Sequence, residues 1–164
     1  MKIALYQINM ARGKAQIFFP FDWIAHHFND LDYSAYDLTF SGEVEADNLE
    51  DVFAIFNLRH PMGFKGHSLS VSDVVGVVES DHVTYFFCDR VDFKRIHFNA
   101  VDALRTQIPK GTLILLHHMD DPHPVPDGTK GTVSHIDDAG QIHCRWENGR
   151  HLAVVPGIDS FSIL

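Results

Sequence analysis

The sequence predicts an α+β N-terminal domain over residues 1–99, an antiparallel sheet with one main helix. A helical linker over 100–108 and a small all-β, SH3-like five-stranded barrel over 109–164 follow it. Three observations predict this arrangement. Period-two apolar alternation recurs through the first part, around a single amphipathic helical stretch at 47–57. After residue 108 no long helical pattern remains, and turn signals come every eight to ten residues. Within that second part, Asn148-Gly149 is the strongest hairpin signal in the chain, because a type I′ turn needs positive φ at both central residues.

Residues 2–9 alternate and read as the first strand, followed by a turn over 10–14. Residues 15–21 read as a second apolar strand, stopped by Pro20. Residues 22–28 form one or two helical turns, with Asp22 as N-cap and Trp23, Ile24, His27 and Phe28 on one face. A polar loop over 29–34 leads to a strand at 36–44, with Tyr36, Leu38 and Phe40 on one side. The helix at 47–57 has Asp47 as its cap and Glu50 in the capping-box position. Leu49, Val52, Phe53 and Phe56 form its apolar stripe, read as core, and Pro61 forbids continuation.

The chain is organised around 64–78. This stretch opens on Gly66 and runs through Ser68, Ser70 and Ser72 into a β-branched strand. Asp73 is the one charge in that apolar run. Its carboxylate must reach water or accept backbone N–H groups from the 68–72 turn. A turn at Asp81-His82 makes a hairpin with 83–88, and 93–98 is a short final element. In the second part, 112–118, 131–136, 141–146, 151–155 and 161–164 read as the five strands. Trp146 reads as a core or seam residue, or else as an exposed aromatic platform.

The 164 residues, 45% apolar, describe a globular protein, and the net charge is −9. Eight basic and fourteen acidic residues precede Ala100, and five and eight follow, so neither part carries a basic footprint. Direct nucleic-acid binding is disfavoured. No apolar run reaches the roughly 20 residues that span a bilayer. The apolar start is too short for a secretory leader, which implies a cytoplasmic protein. Cys88 and Cys144, each inside an expected strand, read as buried free thiols.

Phe56-Asn57, Pro61, Phe64-Lys65-Gly66-His67 and the 68–75 stretch resemble the YodL-like domain family over about 1–98. The family pattern is a helix ending in Phe-Asn, a proline, an aromatic-x-Gly turn, then Leu-Ser-x-Gly/Ser-Asp before aliphatics; Ser72 stands where many relatives have glycine. Pro109-Lys110-Gly111-Thr112, Met119-Asp120-Asp121-Pro122, 126–133, 136–140 and Trp146-Glu147-Asn148-Gly149 are similar to a second family. It is a small domain of unknown function found on mobile elements of Firmicutes. The two resemblances imply a cytoplasmic accessory protein of mobile elements, with no catalytic motif to carry over.

No phosphate-binding glycine loop, CxxC pair, HExxH or nucleophile elbow is present, so no catalytic residue and no cofactor is assigned. His118, Asp120 and Asp121 are the candidate metal ligands, read first as turn formers. His135 and His143 flank the 137–140 turn on paired strands and face each other across it, as an incidental pair or a surface metal site. The loop between His60 and His67 exposes Met62, Phe64, Arg59 and Lys65. Together with Trp146 these residues are the candidate partner-contact surface, for a host or mobile-element protein. The alternative for Phe64 is a plug at the sheet edge. Three functions follow: a non-catalytic binding protein, in its sharper form an inhibitor of a defence nuclease; a metal-dependent hydrolase or nuclease; or nucleic-acid binding through the barrel if Lys130, Arg145 and Arg150 cluster.

Overall fold

The computed structural model describes residues 1–62 and 64–164. It contains two five-stranded antiparallel sheets and few helices. The first sheet is built from β1 (Lys2–Ile8), β2 (Tyr36–Glu43), β3 (Val74–Glu79), β4 (His82–Cys88) and β5 (Phe93–Ile96), in the order β2-β1-β3-β4-β5. Among the described residues four α-helices accompany the sheets, α1 (Met10–Gly13), α2 (Phe21–Phe28), α3 (Leu49–Leu58) and α4 (Ala100–Gln107), with a 3-10 turn at Tyr33–Ala35. β1 is an interior strand between β2 and β3, buried on both faces, which is why its sequence is apolar almost throughout. Ile3 and Leu5 point to one face, with Val75 and Val77, and meet Val52, Ile55 and Phe56 of α3. Ala4 and Tyr6 point to the other, where the core continues through Ile24 of α2 and Leu104 of α4 into the second sheet.

The second sheet runs β10-β6-β7-β8-β9, with β6 (Leu113–His118), β7 (Lys130–Ile136), β8 (Ile142–Trp146), β9 (Ala153–Val154) and β10 (Ser160–Ile163). All five expected strands are present. The turn at Asn148-Gly149 has a different form. Gly149 alone is left-handed, at φ 85°, and its N–H closes a β-turn onto the Trp146 carbonyl. This is the three-residue loop with a bulge rather than type I′.

Three further expectations are corrected. Residues 15–21 form no strand: Gln16 and Ile17 donate back to the Gly13 carbonyl, Phe18 is left-handed at φ 66°, and Pro20 caps α2 in place of Asp22. A short apolar run carries no period that separates strand from turn. α3 starts one turn position later than expected. Asn48, not Asp47, is its N-cap and accepts from the Asp51 N–H at 2.9 Å. The two-residue turn of the β3–β4 hairpin is Ser80-Asp81, because Glu79 pairs with His82.

The two sheets touch through a buried polar contact. The Gly157 N–H donates to Ser41 Oγ at 2.8 Å, and that hydroxyl donates to the Asp159 carbonyl. Gly157 sits at φ +87°, and a Cβ there would lie 2.6 Å from Val78 Cγ2. Gly157→Ala is expected to cost about 1–3 kcal/mol through overpacking and backbone strain. Chemical denaturation checks this, and an unchanged midpoint would contradict it. Cys88 and Cys144 are buried free thiols, as expected. Among the described residues no helix is long and apolar enough to cross a membrane.

Candidate functional site

The β1–β3 ladder pairs Tyr6 with Val74. One step beyond it, Gln7 and Asp73 lie side by side, and the Asp73 carbonyl still accepts from the Cys88 N–H at 2.8 Å. Asp73 is fully buried. Its Oδ2 accepts from Gln7 Nε2 at 2.9 Å and from the Ser70 N–H at 2.8 Å. The sequence offered water or the 68–72 backbone as partners, and the structure uses that backbone together with a side chain from β1. Burial pushes the Asp73 carboxyl up to about 8, against the two hydrogen bonds that favour its anion.

Residues 68–72 form the turn expected there, and the strand starts after it at Val74. The Asp73 N–H donates to the Ser70 carbonyl, and Ser72 is left-handed at φ 82°. Ser72 is buried, accepts from the Phe18 N–H on its Oγ at 2.9 Å, and accepts from Tyr36 Oη on its carbonyl at 2.9 Å. Two non-glycine residues with positive φ, Phe18 and Ser72, are thus joined by one hydrogen bond beside a buried acid. Strain of this kind persists only where surrounding contacts over-determine it. Tyr36 is pushed well above its usual range by burial, with the Asp73 charge adding to the effect. Cys88 rises to about 12 by burial first, then through the charges of Asp73 and Asp89.

His67 closes this cluster. Its Nδ1 lies 2.8 Å from the Ser68 carbonyl, and its Nε2 lies 3.6 Å from Asp73 Oδ1. Gln7 Nε2 also donates to the His67 carbonyl at 2.8 Å, which ties the loop to β1. A Cβ on Gly66 would fall 1.9 Å from Gln7 Oε1, so only glycine lets the loop approach this closely. His67 is therefore a partly exposed member of a polar cluster rather than a free contact residue.

The remaining candidate contact residues divide. Arg59, His60 and Lys65 are exposed and Met62 is fully exposed. Phe64 is half-buried and packs edge-on against Phe56 of α3, with ring centroids 5.0 Å apart. This favours the plug over the contact reading. Trp146 is corrected as a contact residue. It is 3% exposed and donates from Nε1 to the Leu152 carbonyl at 2.8 Å, so its ring belongs to the core. Gly63 of this loop lies outside the described residues.

His118, Asp120 and Asp121 do not converge. Asp120 pairs with Lys2, which holds its carboxyl below the usual range. Asp121 accepts from the His123 N–H at 2.7 Å in a turn, and His118 Nδ1 lies 4.0 Å from Asp127. His135 and His143 do face each other, stacked with centroids 4.3 Å apart. His143 Nε2 meets Asp137 at 2.8 Å. Among the described residues no group of three or more His, Cys, Asp or Glu is placed to hold a metal ion.

One surface was missed. Of the face assigned to 22–28, only Ile24 is buried. Phe19, Trp23 and His27 stack one on the next, with centroids 3.9 and 4.0 Å apart. Phe18 and Phe28 are about half exposed beside them. The i, i+4 spacing of Phe19, Trp23 and His27 is visible in the sequence, but such spacing reads as core.

The buried Asp73 after its serine turn and the glycine-led loop above it lie within a stretch that family comparison recognises. The YodL-like domain matches residues 2–98. The chain belongs to the YodL-like domain family. A domain of unknown function (DUF4314) matches residues 97–164. The boundary between the two falls at the start of α4, so the YodL-like domain contains the first sheet and the Asp73 cluster. No curated protein and no solved structure matches the chain.

Proposed function

We propose that this protein is a non-catalytic, protein-binding accessory protein, with the end of α3 and the segment that follows it in the YodL-like domain as its contact surface. The observation that carries this reading is exposure. Leu58 and Met62 are 79% and 100% exposed, with the cations Arg59 and Lys65 beside them in sequence. Large apolar side chains flanked by cationic ones suit a protein interface. The Gln7 and Phe64 contacts hold the loop that presents them, so little ordering remains for binding. The second sheet, read as an SH3-like barrel, adds a further contact. A cytoplasmic role in mobile elements, as an inhibitor docking on a basic nuclease channel, is the narrower form, supported by the net charge of −9.

The hydrolase reading finds no support in the positions of Asp120 and Asp121, which are engaged by Lys2 and by a turn. For nucleic acid, Arg150 is already turned onto the carbonyls of His123 and Pro124. The test is affinity capture with the full chain and its Met62→Glu and Leu58→Glu variants, read by mass spectrometry. A stoichiometric protein partner held by the parent and lost at least tenfold in both variants, with unchanged melting, is expected. Equal capture by parent and variants would contradict the assignment of this surface.

A further inference from the structure

The Asp73 cluster carries an inference independent of that binding surface. Three buried side-chain atoms in it meet no donor among the described residues: Gln7 Oε1, His67 Nε2 and Asp73 Oδ1. Each offers an electron pair to a cation once the Asp73 proton is displaced, and the neighbouring bonds assign the atoms. Gln7 Nε2 donates to Asp73 Oδ2 and to the His67 carbonyl, so its other amide atom is the oxygen. His67 Nδ1 has the Ser68 carbonyl at 2.8 Å and Gln7 Nε2 at 3.2 Å; the carbonyl can only accept and both Gln7 hydrogens are used elsewhere, so Nδ1 carries the ring hydrogen and Nε2 the lone pair. Asp73 Oδ2 takes both donated hydrogens, so Oδ1 is the oxygen that carries the acid's own proton, which a bound cation would replace. Buried acceptors without a donor are costly, and two of the three, His67 Nε2 and Asp73 Oδ1, face each other.

We propose that His67 Nε2 and Asp73 Oδ1 bind a divalent cation of borderline character, of the Zn²⁺ class. The two atoms are 3.6 Å apart. Two ligands each about 2.1 Å from one ion stand about 3.4 to 3.6 Å apart at near-tetrahedral to trigonal angles, so the bite fits. A mixed N,O donor set suits such an ion. The Nδ1–H to carbonyl bond is the second-shell contact that orients a metal-binding imidazole.

The probe is Zn²⁺ added to chelator-treated full-length protein, followed by calorimetry. Co²⁺ added to isotope-labelled protein is followed by NMR. One saturable site per chain is expected, weakened at least tenfold in His67→Ala and in Asp73→Asn. It should be unchanged in His143→Ala, which removes the other paired imidazole. Co²⁺ should broaden the Gln7, His67 and Asp73 amides first in the parent, a readout that does not depend on a variant folding. No saturable binding, binding that survives His67→Ala, or broadening centred on His143 would each overturn the site.

Discussion

In chelator-treated protein, Asp73→Asn removes a steep loss of stability with rising pH. Asp73 is fully buried, and its folded carboxyl is pushed up from 3.8 to about 8. Below the unfolded value both states hold the proton, and the contribution of the neutral acid is fully present. Between the two values the unfolded chain ionises and the folded chain does not, so stability falls by about 1.4 kcal/mol per pH unit from this group. Above the folded value the contribution is lost. Asparagine reproduces the neutral acid: its oxygen accepts from Gln7 and Ser70, and its amide nitrogen faces His67 Nε2. The variant should therefore match the parent near pH 4 and exceed it increasingly from pH 5 to pH 8 in urea denaturation. Parallel pH profiles for parent and variant would contradict this.

Leu104→Ala should destabilise both sheets together, by about 2–5 kcal/mol, the range for emptying a fully packed leucine site. Leu104 is 1% exposed on α4, the helix that touches β2 of the first sheet and β7 of the second. Its core is continuous from Tyr6 and Phe98 to Ile142 and Trp146. A shared core makes unfolding of one sheet expose the other. Hydrogen exchange in denaturant should show the amides of β3 and β7 losing protection at one midpoint, shifted equally by the substitution. Loss of protection in two steps, with only one step moved, would mean that the sheets are energetically separate.

Strands with clear alternation and tight turns were legible. All five strands of the second sheet and the helix after residue 47 stand close to where the sequence places them, although Phe53 of the expected apolar stripe is exposed and Ile55 is buried in its place. What failed depended on contacts distant in sequence. The turn over 68–72 was legible, but the hold of Tyr36 and Phe18 that keeps Ser72 left-handed within it was not. Residues 15–17 read as strand, but Gln16 is drawn to the Asp30 carbonyl and the Asp32 N–H. For the site, Asp73 was marked by its isolation among apolar residues, and the backbone N–H it needed was found. Gln7 was invisible because nothing local distinguishes a glutamine on a buried strand from one on an exposed strand. The stacked Phe19, Trp23 and His27 were lost to the opposite ambiguity, since aromatic spacing on a helix signals burial more often than display.

The carboxyl carbon of Asp73, followed by NMR through a pH titration of the metal-free full-length protein, reports directly on the buried acid around which the first sheet and its loop are arranged. A midpoint near 8 is expected, with the Gln7 side-chain amide shifting at the same pH. A midpoint in the ordinary carboxylate range, near 4, would show that Asp73 is held as an anion and would contradict the account.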